Sequence, residues 1–114
     1  KIGLASASKN ASLVITKLGI GHLFDFIGDA ALVTNSKPAP DIFLSVAQGL
    51  KVLPESCIGV EDAVAGVSAI KSANMFAVGI GDAKVLTQAE LVFPNMSKFD
   101  YDLVLTTRLL ISTT

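Results

Sequence analysis

Short apolar runs alternate along the chain with longer stretches in which apolar residues recur at helical spacing. Short runs bounded by glycine or polar residues predict β-strands, and apolar residues three or four positions apart predict amphipathic helices. Strands are predicted over residues 2–6, 24–28, 57–60, 75–80 and 91–93. Because these strands alternate with helical stretches, we predict an α/β fold with a mostly parallel sheet.

The helical stretches are predicted over residues 9–19, 40–50, 63–73 and about 101–111. In the first of them, Leu13, Val14 and Leu18 have the spacing of an apolar face, and Gly19 is a typical C-terminal stop. The second helix follows a loop at residues 35–40, where two prolines disfavour helix. The predicted core face of this second helix consists of Ile42, Phe43, Val46, Ala47 and Leu50.

Composition limits the classes of protein to which the chain can belong. Its 114 residues are enough for one domain, residues 1–114, and the apolar share of 51% favours a buried core. The net charge of -1 supplies no basic field for nucleic acid, and no apolar run is long enough to cross a membrane. A single cysteine, Cys57, and a single histidine, His22, exclude a disulfide framework and a cysteine or histidine metal cluster. We expect a cytoplasmic domain that handles phosphate or a small molecule.

Two adjacent carboxylates are the first candidate for chemistry, since functional groups in parallel sheets gather just beyond the carboxyl ends of the strands. Glu61 and Asp62 directly follow a predicted strand and precede a predicted helix. Adjacent carboxylates favour a nearby cation, and hard oxygen ligands at such a position suit Mg²⁺. Acidic residues are also favoured at helix starts, so the pair could instead cap the helix from Ala63. The sequence leaves both interpretations open.

A serine-rich segment follows the first predicted strand. Ser6, Ala7 and Ser8 come between that strand and a helix start, where hydroxyls and free backbone N–H groups form an anion site. The alternative is that Ser8 is an ordinary N-cap and that Lys9 and Asn10 are solvated residues of the first turn.

A lysine in the proline-rich loop is the third candidate. Lys37 precedes Pro-Ala-Pro at residues 38–40, a rigid segment that fixes where its side chain starts. A lysine placed in this way can reach over a strand end and neutralise a phosphoryl group as a point charge. The alternative is a loop lysine exposed to solvent, which is the usual environment of this residue type.

These three segments, taken in order, resemble motifs two, three and four of the haloacid dehalogenase superfamily of phosphotransferases. They read KIGLASASKN at residues 1–10, SKPAPDIF at residues 36–43 and IGVEDAVAG at residues 58–66. The resemblance extends from residue 1 to about residue 105. It implies a three-layer, Rossmann-like core domain with a parallel sheet, of which residues 1–114 would form the carboxy-terminal part.

The resemblance also implies roles for individual residues. Ser6 and the backbone of Ala7 would hold the phosphoryl group in transfer, and Lys37 would balance its charge. Ser6 and Lys37 are therefore the expected catalytic residues of the chain. Glu61 and Asp62 would ligate or orient Mg²⁺, the expected cofactor.

A sugar phosphate is the substrate that the resemblance implies. Ser8, Lys9 and Asn10 would grip the phosphate that does not react. Relatives with this pattern interconvert β-glucose 1-phosphate and glucose 6-phosphate through glucose 1,6-bisphosphate, on an aspartyl-phosphate nucleophile. We expect no nucleic-acid or membrane partner, and a monomer for the full-length protein.

The chain departs from the superfamily pattern in three respects. The Asp-x-Asp motif, which carries the nucleophile and the general acid/base, lies upstream of the other motifs in the superfamily, and no such motif precedes Ser6. The helical cap domain is absent too. In the superfamily the missing first strand lies at the centre of the sheet, between the strands that match residues 2–6 and 57–60. We therefore expect residues 1–114 alone to be inactive and unstable, with the edges of those two strands unpaired.

Three other functions are compatible with parts of this pattern. A phosphatase of the same superfamily would hydrolyse a small phosphate monoester with the same residues. A phospho-acceptor module of receiver type also combines acids, a hydroxyl and a lysine. Such modules carry the acid pair after the first strand, whereas here the pair follows the third. A non-catalytic, phosphate-binding half-domain is the remaining alternative.

Overall fold

Five β-strands form two separate parallel sheets in the computed structural model, which describes residues 1–112. The strands are β1 (Gly3–Leu4), β2 (Phe26–Ile27), β3 (Ile58–Glu61), β4 (Phe76–Ile80) and β5 (Leu91–Phe93). The α-helices are α1 (Ala11–Leu18), α2 (Asp41–Leu50), α3 (Val64–Ser72) and α4 (Tyr101–Ser112). The predicted α/β fold with parallel pairing is confirmed.

The two sheets have different strand orders and do not share a strand. In the smaller sheet β1 pairs with β2, and in the larger sheet β4 lies between β3 and β5. Within residues 1–112, β1 and β3 do not pair with each other. This arrangement agrees with the expectation that these two strands are not neighbours in one sheet.

Side-chain alternation along β4 produces the layered arrangement. Ala77 belongs to the same buried cluster as Ile70 of α3, whereas Val78 packs in a second cluster with Val104 of α4. Successive residues of a strand point to opposite faces, so α3 and α4 cover opposite faces of the larger sheet. All four side chains are fully buried, at 0% exposure. The result is a helix–sheet–helix arrangement, as expected for a Rossmann-like fold.

Helix α2 connects the smaller sheet to this core. All five residues of its predicted apolar face are buried, and the helix contacts β1, β2 and α3. Ile42, Phe43 and Ala47 share a cluster with Val67 and Ile70 of α3. Helices α2 and α3 therefore pack together next to both sheets.

Helix α1 forms where it was predicted, but its predicted apolar face was wrong. Leu13, Val14 and Leu18 are half or more exposed, whereas Ala11 and Ile15 are buried. The helix packs mainly on the 3₁₀ turn that follows it, so its other apolar residues have little to contact within residues 1–112. The predicted stop is confirmed, because Gly19 takes the left-handed conformation at φ 68°.

The first two strands are shorter than predicted. The sequence suggested residues 2–6 and 24–28, and the structure has two residues in each strand. Next to them, the backbone N–H of Ile2 donates to the Asp25 carboxylate rather than to a strand. Strand β3 is shifted by one residue from the predicted 57–60, so Glu61 is its last residue instead of the residue after it.

No helix within the described residues is both long and apolar enough to cross a membrane.

Candidate active site

Three chain segments meet where β1 and β3 end. Ser6 lies two residues beyond β1, Glu61 is the last residue of β3, and Lys37 lies in the loop between β2 and α2. The side chain of Lys37 connects the two strands. Its Nζ donates to the carbonyl oxygen of Ala5 at 3.1 Å and to Oε2 of Glu61 at 2.8 Å. The structure thus brings Lys37 into contact with Glu61 and with Ala5, the residue that precedes the candidate Ser6.

The surroundings of Lys37 differ from those of a solvated loop lysine. Its side chain is only 17% exposed, and that of Glu61 is 13% exposed. Its Nζ also lies 5.1 Å from the ring centroid of Phe43 on α2, within cation–π range. The alternative of an exposed lysine is therefore wrong for Lys37.

The loop that carries Lys37 is closed by side-chain and backbone hydrogen bonds. The backbone N–H and the side-chain amide of Asn35 both donate to Oδ2 of Asp41, at 3.0 and 3.3 Å. Between them, the N–H of Ala39 donates to the carbonyl of Ser36 at 3.0 Å. These contacts tie the start of the loop to the first turn of α2 and determine where the Lys37 side chain begins.

Both carboxylate oxygens of Glu61 have hydrogen-bond donors. While Oε2 accepts from Lys37, Oε1 accepts from the backbone N–H groups of Asp62 at 3.0 Å and of Ala63 at 3.3 Å. Burial alone would raise the pKa of Glu61, but the hydrogen bonds from Lys37 and Asp62 outweigh it and lower the pKa below its usual value. Glu61 is therefore held ionised. The capping alternative is correct in part, since Glu61 binds N–H groups just before α3.

The serine-rich segment forms a tight turn at the end of β1. The Ser6 hydroxyl accepts from the N–H of Ser8 at 3.1 Å, and the Ser8 hydroxyl accepts from the N–H of Asn10 at 3.2 Å. A serine hydroxyl that accepts a hydrogen bond can still donate its own proton, so both serines can donate to an anion. Ser6 is half-buried, and residues 7–10 are exposed.

Helix α1 begins directly after this turn. Asn10 occupies the N-cap position without a side-chain capping bond, so Ser8 is not the N-cap that the alternative interpretation required. No acidic residue occupies the first turn of α1. The positive end of the helix dipole and the ammonium of Lys9 therefore both favour an anion here.

The two carboxylates have the chemistry of a magnesium site. Mg²⁺ is commonly held by one or two carboxylates, with phosphate and water oxygens completing its octahedron. Glu61 and exposed Asp62 meet that requirement at a strand end. Over residues 1–112, no group of three or more His, Cys, Asp or Glu side chains is arranged to hold a metal ion. Glu61 and Asp62 would supply the carboxylates, and Mg²⁺ bound there would withdraw charge from a phosphoryl oxygen.

Sequence reasoning missed three residues that shape this site. Phe43 was assigned only to the core, yet its ring also lies under the Lys37 ammonium. Asp41 was assigned only to a helix start, yet it closes the Lys37 loop. Gly66 was quoted within a motif without a role. A glycine inside a predicted helix is itself a signal, because glycine is unfavourable there and usually indicates a close contact.

One Asp-x-Asp triplet does occur in the chain, at residues 100–102, but it lies at the start of α4. The Asp100 carboxylate accepts from the N–H of Leu103 at 3.0 Å. This is the geometry of a helix cap. The triplet therefore has a structural explanation and no connection to the serine and lysine motifs.

A cleft of about 290 Å³ lies at the other end of the larger sheet, next to the amino-terminal ends of its strands. Glu55, Lys71, Phe76 and Arg108 are among the residues that line it. Lys71 is already paired with Glu90. The site described above lies at the carboxyl ends, so this cleft is not part of it.

Comparison with known proteins defines the class to which this fold and site belong. A model of the haloacid dehalogenase-like hydrolase family matches residues 1–74. That match includes all three motifs and covers more than half of the chain. The chain belongs to the haloacid dehalogenase-like hydrolase family.

Within that family, the chain is similar to β-phosphoglucomutases. It is 46% identical over 104 residues to the β-phosphoglucomutase of Bacillus subtilis, across 91% of this chain. A crystal structure of β-phosphoglucomutase from Clostridium difficile superposes with a TM-score of 0.96 at 47% identity, over 100% of this chain. A fructose-1-phosphate phosphatase from Escherichia coli is 40% identical over 79 residues, which are 69% of this chain and 42% of that protein.

The chain spans about half the length of these relatives. It covers 46% of the Bacillus enzyme and 51% of the Clostridium chain. The similarity therefore concerns only the part of the core domain that these 114 residues form.

Proposed function

We propose that the full-length protein transfers phosphoryl groups on sugar phosphates, interconverting β-glucose 1-phosphate and glucose 6-phosphate through glucose 1,6-bisphosphate. The observation that carries this proposal is the contact of Lys37 with both Ala5 and Glu61. It gathers a cation, a carboxylate and the neighbouring Ser6 hydroxyl where a phosphoryl group with its magnesium ion would fit. The similarity to two β-phosphoglucomutases supports the choice of reaction.

Each residue has a defined part in the proposed reaction. The Ser6 hydroxyl and the Ala7 backbone N–H donate hydrogen bonds to the phosphoryl oxygens, and the Lys37 ammonium neutralises their charge. Glu61 and Asp62 hold Mg²⁺. The aspartate that accepts the phosphoryl group would come from a part of the full-length protein outside these 114 residues, so the chain alone would not turn over.

The turn at residues 8–10 supports a mutase over a phosphatase. A bisphosphate carries a second phosphate that must be held while the first reacts, and the Lys9 ammonium with the Ser8 and Asn10 side chains offers a place for it. These three residues are exposed and adjacent to Ser6. The alternative, a phosphatase that acts on a small monoester, is supported by similarity to sugar-phosphate phosphatases.

Replacing Lys9 tests this choice in the full-length protein. We expect Lys9→Ala to weaken binding of glucose 1,6-bisphosphate by roughly 10–100-fold, because a charge-assisted hydrogen bond contributes about 1.5–3 kcal/mol. Hydrolysis of a small monophosphate should change little. Lys17→Ala, which removes an exposed lysine from the last turn of α1, the helix that follows Lys9, is the matched control. Equal losses on both substrates would favour the phosphatase.

We further propose that the protein acts as a cytoplasmic monomer with sugar phosphates as its partners. Burial raises the pKa of Cys57 above its usual value, which keeps this cysteine in the unreactive thiol form. A protonated, unpaired thiol in these 114 residues suits a reducing compartment.

A further inference from the structure

We propose that Gly66 is a positioning residue for Glu61, because the missing side chain at position 66 leaves the space in which the Glu61 carboxylate lies. This inference rests on the proposed function, since it concerns a carboxylate assigned to Mg²⁺. It adds a residue that touches neither metal nor substrate but determines where a ligand lies.

The geometry at Gly66 is restrictive. A Cβ atom built on Gly66 would lie well under 3.0 Å from Cγ, Cδ and Oε2 of Glu61, which are its three nearest neighbours. Contacts that short do not occur, so one of the two side chains would have to move. The same Oε2 atom receives the hydrogen bond from Lys37. Any displacement of the Glu61 carboxylate therefore acts directly on the contact that connects β1 and β3.

The local backbone does not require glycine at this position. Gly66 lies in the first turn of α3 and is buried, and it is not among the glycines with a positive φ. Alanine would be the better helix former at such a position. Since neither the backbone conformation nor the helix favours glycine, the contact with Glu61 is what explains it.

Gly66→Ala would move the carboxylate away from its three donors. Glu61 could then no longer accept from Lys37 and from the N–H groups of Asp62 and Ala63 together. A ligand that has lost its supporting hydrogen bonds binds metal less tightly, typically by roughly 10–100-fold. We expect that loss in Mg²⁺ affinity, with a fall in turnover.

Another helical glycine provides the control. Gly49 lies in α2, and a Cβ built there would overlap the ring of Phe26 to a similar degree. Gly49→Ala therefore introduces the same steric problem away from the candidate metal ligands. In the full-length protein, isothermal titration with Mg²⁺ should show weakened binding for Gly66→Ala and nearly normal binding for folded Gly49→Ala. Equal Mg²⁺ affinity of Gly66→Ala and the wild type would overturn the inference.

A double-mutant cycle gives a readout independent of metal and activity. Glu61→Ala removes the three atoms nearest to a methyl group at position 66, so Gly66→Ala should then stabilise α3. We therefore expect Gly66→Ala to lower the free energy of unfolding in the wild type and to raise it in the Glu61→Ala background. Gly49→Ala should be destabilising in both. If Gly66→Ala alone does not fold, its recovery in the Glu61→Ala background gives the same answer.

The outcomes separate this inference from the proposed function. If the wild-type protein neither binds Mg²⁺ nor transfers phosphate, the proposed function is wrong, whatever the double-mutant cycle shows. If the wild type does both but Gly66→Ala is equally destabilising in the two backgrounds, the inference about Gly66 is wrong and the proposed function stands.

Discussion

The three-stranded sheet and the two-stranded sheet differ in how completely they are packed. In the larger sheet β4 has five residues, and Ala77 and Val78 are fully buried between helices on both faces. In the smaller sheet each strand has two residues, all half-buried, and the adjoining helix α1 exposes several large apolar side chains. Most of the core described here thus belongs to residues from α2 onward.

The candidate site residues are divided between the smaller, lightly packed sheet and the larger, well-packed sheet. The turn with Ser6 and Lys9 belongs to the lightly packed part, whereas Glu61 lies at the end of a strand in the well-packed sheet. Regions with few buried contacts open more readily than cores. We therefore expect the candidate phosphate-binding turn to depend on its link to the better-packed sheet, which the contacts of Lys37 with Ala5 and Glu61 provide.

The largest expected effect comes from removing a buried side chain on the well-packed side. Ile70→Ala should lower the free energy of unfolding by about 2–5 kcal/mol, because Ile70 is fully buried and leaves a cavity. Ile15→Ala in α1 should cost about 2 kcal/mol or less, since that helix has fewer neighbours. Urea denaturation of the full-length protein measures both. A larger cost for Ile15→Ala would contradict the comparison.

Removing the link itself should mainly affect catalysis. Lys37→Ala should reduce kcat by about 100-fold or more, because it deletes the cation that we propose neutralises the phosphoryl group. The exposed Lys98, which lies far along the chain from the site motifs, provides the control variant Lys98→Ala. Steady-state kinetics of the full-length enzyme would show the difference. A kcat for Lys37→Ala that equals the control value would mean that this lysine has no part in the reaction.

The smallest expected effect is a dependence of stability on pH. Because the pKa of Glu61 is lowered in the folded state, its contribution is fully present above the unfolded value of about 4.3. It is lost as the pH falls through the lowered pKa. The Lys37–Glu61 pair should contribute about 1–2 kcal/mol at pH 6, because both side chains are largely buried. The stability of Lys37→Met should therefore approach that of the wild type as the pH falls from 6 to 3. A constant difference across that range would speak against the pair.

Local patterns predicted the well-packed elements best. All five core residues of α2 follow from periodicity, because burial at these positions is nearly complete. The bounds of β5 follow from its short apolar run, of which only Phe93 is buried. The apolar face of α1 could not be predicted, since periodicity shows that a face is apolar but not whether anything covers it. The strand β1 was overestimated because only two of its residues find partners in β2.

The sequence predicted which residues form the candidate site but not which of them contact each other. The motifs identified Ser6, Lys37 and Glu61, but the bond between Lys37 and Glu61 joins residues 24 positions apart and depends on how α2 packs. The proposed role of Gly66 depends on its lack of a Cβ atom. The sequence does not show that the Glu61 carboxylate occupies the space where that atom would be.

The donor count of a lysine adds a consequence to the Lys37 contact. An ammonium carries three N–H bonds, and Ala5 and Glu61 account for two of them here. The third N–H bond remains for an oxygen of a bound anion, so an anion can bind Lys37 without displacing Ala5 or Glu61. Ala5 and Glu61 then keep their hydrogen bonds from Lys37 when the anion binds. Binding therefore does not include the free-energy cost of leaving the Glu61 carboxylate without this donor.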